Sequence, residues 1–324
     1  MKQRKIVKTI RFGQNFSRKH GVKTVMLAPV LLAVIFFTYS TVSAFFTINS
    51  SKMPDNFETI KFEVNDYNVQ HIDPLSNKLT WDLMAHHASL DKSRTKAKIV
   101  DPFINYYDKL KDKVEFVLSS KHADIDKEHQ SFVLYDQVEL AFTNKDYYLE
   151  SGMLTFSEDS DSFEVDKNWS LKSKLGYKIK GSKGQVSKNF DKIYSEGLAE
   201  LTSEDITLKA DQIEVKVENT KPQVQASGHS VLNLAKNDST LTAQKIAIIN
   251  EGEVQATGEV KVLADNIECH SSNMLISYNA RNERVAQFTG APYIIRDGNT
   301  IYADKIDYNF KNQQVTVSGN VHSG

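Results

Sequence analysis

The sequence predicts an all-β fold, an array of short antiparallel strands folded over on itself and preceded by one N-terminal transmembrane helix. Three observations predict it: a repeat of about thirty residues, strict apolar–polar alternation inside each copy, and one uncharged stretch near the N-terminus.

The repeat carries the most information. WDLMAHHASL from Trp81, FVLSSKHADI from Phe116, YYLESGMLTF from Tyr147 and YKIKGSKGQV from Tyr177 align with four later stretches. Those are ITLKADQIEV from Ile206, STLTAQKIAI from Ser239, IECHSSNMLI from Ile267 and NTIYADKIDY from Asn299. Each holds a small residue at the same place: Ala85, Ser120, Ser151, Gly181, Ala210, Ala243, Ser271 and Ala303, at steps of 35, 31, 30, 29, 33, 28 and 32 residues. Two places before it stand Leu83, Leu118, Leu149, Ile179, Leu208, Leu241, Cys269 and Ile301. Five places after it stand Leu90, Ile125, Phe156, Val186, Val215, Ile248, Ile276 and Tyr308, and the residue just before it is mostly polar. Successive side chains on a strand point to opposite faces, so this alternation is a strand signal. The small residue, followed by polar ones, marks a corner where a large side chain would clash.

A second mark closes each unit. Gly197, Gly228, Gly258, Gly290 and Gly319 each precede an apolar strand, with Pro102 and Asp136 in the corresponding places of earlier units. One unit is therefore four short strands with a bend in the middle of each half. So short a unit cannot bury its own apolar face, whereas stacked copies share one. The stack encloses a long apolar interior, with Leu83, Phe116, Leu118, Ile125, Leu149, Phe156, Ile179, Leu208, Val215, Leu241, Ile248 and Ile301 as candidate lining residues. A dry core and a groove holding lipid make the same demand on the alternation, so the pattern leaves both open.

Thr24 to Phe46 contains no charged residue, and twenty-three residues suffice as a helix to cross a bilayer core of about 30 Å. Residues 1–23 carry eight Lys or Arg and no acid, which keeps this end cytoplasmic and exports everything after Phe46. A cleaved signal peptide ending near Val42-Ser43-Ala44 is the alternative. Its apolar core would exceed the usual span of about 7–15 residues, which favours a retained single-pass anchor.

The net charge of −1 excludes a generally basic nucleic-acid binder, and the lone Cys269 excludes an internal disulfide. No Gly-rich phosphate loop and no catalytic signature occurs, so neither enzyme activity nor a cofactor is expected. His86, His87 and His122 tempt as metal ligands, but they occupy the polar corner where other copies carry Asp211-Gln212 and Asp304-Lys305. Glu158, Asp159, Asp161, Glu164 and Asp166 lack the spacing of a calcium loop and read as a polar turn. Lys172, Lys174, Lys178, Lys180 and Lys183 form a basic run that suits either lipid phosphates or a solvated face.

The Ala-Asp-x-Ile corners (Ala210 to Ile213, Ala303 to Ile306) with their Gly-x-Val turns are similar to the repeat of the OstA-like family of lipopolysaccharide transport proteins. From about Phe62 to Phe156 the chain resembles the inner-membrane-anchored LptC branch, through Trp81 to Ala88, Asp101-Pro102, Tyr106-Tyr107 and Ser119 to Ala123. Residues 177–324 look more like the soluble LptA bridge branch, so the chain resembles an anchored unit extended by bridge-like repeats. Beyond the basic segment 1–23 and the anchor 24–46, the resemblance implies an LptC-like jellyroll 47–165 and LptA/OstA-like repeats 177–324, and 166–175, which fits the repeat least well, is the candidate junction. The resemblance also implies an open β-jellyroll holding acyl chains of lipopolysaccharide, received from an inner-membrane ABC transporter. A periplasmic bridge protein, or another copy joined by edge-strand pairing, takes them onward. The competing function is a structural envelope array that binds protein partners by strand addition and carries no lipid.

Overall fold

The computed structural model describes residues 62–324, without 109–112, 144–146, 175, 219–220, 236–238, 250–251 and 265–266. The expected cytoplasmic segment and membrane span lie outside the described residues. Among the described residues no helix is long and apolar enough to cross a membrane.

Among the described residues twenty-four strands form one hydrogen-bonded system with antiparallel pairings. Ten strands run unbroken through a corner, and the other fourteen form seven pairs, each pair one leg divided at its corner. Lys96–Val100 and Phe103–Tyr107 are such a pair, divided by Asp101 and Pro102. Proline has no N–H to donate, so the ladder breaks there. Each leg pairs with the next along its whole length, one half in each of two layers.

Lys78–Leu90 illustrates the folding-over. Its first half pairs with Phe103–Tyr107 and its second half with Lys96–Val100. Ser131–Phe142 does the same on the far side, pairing with His122–Asp126 and Val114–Ser119. These six strands close a ring of backbone hydrogen bonds. Layer one holds Phe103–Tyr107, Val114–Ser119 and the half-legs aligned with them; layer two holds Lys96–Val100, His122–Asp126 and their neighbours.

Alternate legs turn the corner in two ways. Legs with the small residue slip the alternation by one: in Ile206–Glu218 the inner residues are Leu208, Ala210, Ile213 and Val215, and Asp211 and Gln212 both face out. The intervening legs turn through left-handed backbone: Asp136 and Gln137, Lys167 and Asn168, Gly197 and Leu198, Gly228 and His229, Gly258 and Glu259, Gly290 and Ala291. In the leg containing Pro102 the left-handed residue is its neighbour Asp101 (φ 50°). Glycine is needed at Gly228 for space as well as dihedral. A Cβ there would lie 2.8 Å from the Cβ of Asp211 on the adjoining leg.

The least regular stretch of sequence, 166–175, does not interrupt the ladder. Trp169–Ser173 pairs with Tyr147–Ser157 on one side and Lys178–Gly181 on the other.

Candidate functional site

The interior between the layers is where the alternation concentrates apolar side chains. All twelve lining candidates face it. Leu83, Phe116, Leu118, Ile125, Leu149, Phe156, Ile179, Leu208, Val215 and Leu241 are buried, and Ile248 and Ile301 are half-buried against the same cluster. Ser119 and Lys209, one position away, point outward with greater exposure.

Two halves of this interior differ. Among the described residues, eleven buried aromatic side chains lie at or before Phe190 and only two, Phe288 and Tyr308, lie after it. In the first half, rings reach across from layer to layer. Trp81 meets Phe132 edge-on at 5.1 Å between centroids, Tyr106 meets Phe156 at 5.6 Å, and Phe116 meets Phe163 at 5.3 Å. The turn after Lys183–Ser187 then folds across the margin. Phe190 stacks on Tyr147 at 4.5 Å and meets Phe142 at 4.3 Å. Lys188 holds its ammonium 4.7 Å from the centre of the Phe156 ring and donates to the Glu158 carbonyl at 2.9 Å. His71, stacked on Trp81, lies 3.8 Å from Glu158 in the opposite layer. Burial, with the charges of Glu158 and Glu115, pushes the Tyr106 hydroxyl far above its ordinary pKa, so it stays neutral.

In the second half the inner face turns to smaller residues, among them Ala210, Ala226, Ala243, Ala256, Ala264 and Ala286. Between the layer margins a cleft of about 600 Å³ opens. Ile206, Leu232 and Leu234 line it from layer one, with Ile248, Val254 and Phe310 from layer two. Its rim carries Asp205, Glu283, Arg284 and Lys311. Small-ligand sites run from about 300 to 1,000 Å³, and this cleft falls in that range, with apolar side chains forming about half of its lining. A larger hollow of about 830 Å³ lies by Ser162, Gln185, Tyr194 and Glu214, but polar side chains form most of its wall. It offers little apolar surface for a ligand to bury against.

The polar clusters of the sequence have structural partners. His87 Nδ1 and Asn65 Oδ1 lie 2.9 Å apart, and His122 pairs with Asp136 at 3.2 Å, so these histidines do not converge on a metal site. Asp126, Glu128 and His129 do converge, but Asp126 accepts the backbone N–H of both neighbours and is occupied in capping a turn. The acidic stretch begins with the turn between Tyr147–Ser157 and Ser162–Asp166. Within the basic run, Lys172 meets Glu150 at 3.3 Å and Lys180 meets Glu200 at 3.0 Å on the outer face. No catalytic cluster forms among the described residues.

Sequence reasoning missed Lys188, Phe190 and Arg284. Arg284 had a signal. It is in phase with Ala286 and Phe288 on the inner face of Arg284–Thr289. Lys188 and Phe190 had none, because a turn's path across a margin leaves no periodicity.

No protein-family model matches the chain. No curated protein matches it either. Among solved structures it is similar to LptH, described as the LptA homologous periplasmic component of the lipopolysaccharide transport device from Pseudomonas aeruginosa. The identity is 12% and the TM-score 0.22, over 46% of this chain and 93% of that one. A likeness so low carries no functional argument.

Proposed function

We propose that this chain is a membrane-anchored periplasmic component of lipopolysaccharide export, of the anchored OstA-like type, with an open β-jellyroll as its working part. It takes lipid from an inner-membrane ABC transporter and passes it along the apolar interior toward a periplasmic bridge. One observation carries the reading: an inner face apolar from Leu83 to Ile301 and open to solvent through the cleft at Ile206, Leu232 and Ile248. Each methylene buried there stabilises by about 0.8 kcal/mol, so acyl chains bind without specific hydrogen bonds. Neighbouring legs offer similar surfaces, so sliding along them exchanges one set of contacts for a comparable one. The anchor at 24–46, the division between 47–165 and 177–324, and the roles of the twelve lining residues belong to this proposal.

A photo-crosslinking residue at Leu208 or Leu118, with Ser119 and Lys209 as outward controls, tests it in living cells. Lipopolysaccharide adducts at inward positions alone are the expected result. Adducts at neither, in protein shown to be folded, favour the second reading: a structural array that adds strands from partners. The two ends motivate that alternative. Among the described residues Phe62–Asp73 pairs only with Lys78–Leu90, and Gln314–Ser318 only with Lys305–Asn309, so each leaves one strand edge without a described partner.

A further inference from the structure

In the second half of the array a positive charge faces inward. The alternation of Arg284–Thr289 places Arg284 on the same side as the fully buried Ala286 and Phe288, at the margin of layer two. An ionised guanidinium is costly to dehydrate unless acceptors replace its water. The Nε of Arg284 is buried and meets no acceptor among the described residues. Its neighbour Glu283 is engaged elsewhere, accepting from Asn279, Asn309 and Lys311. The guanidinium carbon lies 5.8 Å from the centre of the Phe310 ring, which places it on the wall of the 600 Å³ cleft. Arg284 as a whole is half-buried, so the fold sets a positive fork with one unmatched donor, Nε, at the mouth of the cleft.

We propose that Arg284 is the anion-binding residue of this cleft, which takes an acyl amphiphile with an oxyanion head. The head rests on the guanidinium at the margin, and the chain lies inward against Ile206, Leu232, Leu234 and Ile248. Guanidinium presents paired N–H donors that match a phosphate or carboxylate, and in a partly dry site such a bond is stronger than in water. The inference rests on the conduit reading and narrows it, fixing where a chain gains access and which head charge is accepted. The first half offers no equivalent. Its marginal cation, Lys188, is held against Phe156 and the Glu158 carbonyl.

The test uses the full chain in phosphatidylcholine nanodiscs, with two twelve-carbon probes bearing a diazirine in the chain. One ends in a phosphate monoester and the other in trimethylammonium. Expected is labelling of the peptides carrying Ile206, Leu232 or Ile248 by the phosphate probe, well above the ammonium probe. Arg284→Gln should lower that labelling about tenfold and bring the two probes together, since a hydrogen bond to a charged group contributes at least that much. Inorganic phosphate at the probe's concentration should not displace it. Equal labelling by both probes, no loss in Arg284→Gln, labelling confined to the first half, or displacement by inorganic phosphate would each overturn the proposal. Thermal melts keep the variant interpretable. Arg284→Gln and Arg284→Met should melt no lower than the parent, because they remove a half-buried charge whose Nε is unmatched. A lower melting temperature with unchanged labelling assigns Arg284 to the fold and overturns the proposal. The conduit reading fails separately, through absent lipopolysaccharide adducts at Leu208, which alkyl phosphate labelling does not require.

Discussion

Cys269 sits on the inner face in register between Val262 and Ile294, 2% exposed, and burial pushes its thiol up to about 12. The thiolate is the reactive form, so the folded chain should resist an aromatic disulfide reagent and react once unfolded in guanidinium. Absorbance of the released thiol, followed across the unfolding transition, checks it. Glu283 behaves oppositely. Hydrogen bonds from Asn309, Lys311 and Asn279 hold its carboxyl below the ordinary 4.5. A lowered folded pKa contributes stability above the unfolded value, and that contribution is lost as pH falls through the folded value. Glu283→Gln should therefore lower the melting temperature at pH 7 and converge with the parent in acid, as melts from pH 7 to pH 3 would reveal. Both residues show the limits of the sequence: alternation alone placed Cys269, whereas two partners of Glu283, Asn309 and Lys311, lie twenty-six and twenty-eight residues away in the chain.

The corner is the element that sequence described best. The small residue, the apolar positions two before and five after, and the glycines of the later units follow one rule, because a bend between packed layers leaves little space for a side chain. Gly228 and Gly298 separate the two parts of that requirement. Both are left-handed, at 72° and 79°, yet a Cβ meets Asp211 at Gly228 and nothing within 4 Å at Gly298. Gly298→Ala should cost about 1–2 kcal/mol for the dihedral alone, and Gly228→Ala more. Paired urea titrations measure the difference. The earlier corners were less legible. Asp136, Gln137, Lys167 and Asn168 adopt left-handed backbone without glycine, through types that also populate ordinary turns.

At the scale of the molecule, one ladder joins all the legs, while the interior changes character near Phe190. Eleven buried aromatics lock the first half across its layers, and the second half keeps a cleft. Phe190 is 2% exposed, between Phe142 and Tyr147. Phe190→Ala should cost about 3–5 kcal/mol, because the space it leaves can refill only partly. In an array stabilised by neighbours the loss should stay local. Hydrogen exchange should quicken in Ser131–Phe142 and Tyr147–Ser157 and remain unchanged beyond Glu253. Uniform acceleration would mean that the array unfolds as one. The stack and its apolar face were legible because repetition reinforces a weak pattern. The aromatic closure was not, since rings in contact across layers are far apart in the chain.

The one-residue slip at each small-residue corner also governs how such a chain can change length. Losing a single residue from the outward pair Asp211-Gln212 would either straighten the leg and abolish its corner or, with the corner held by its neighbours, turn Ile213 and Val215 outward. Insertions and deletions must therefore fall in the hairpins at the layer margins, or add and remove whole units. The spacing already has this form. The distance from the small residue to its flanking apolar positions never varies, while the step from unit to unit ranges from 28 to 35 residues. A lineage can lengthen or shorten such an array by whole units without re-inventing its inner surface.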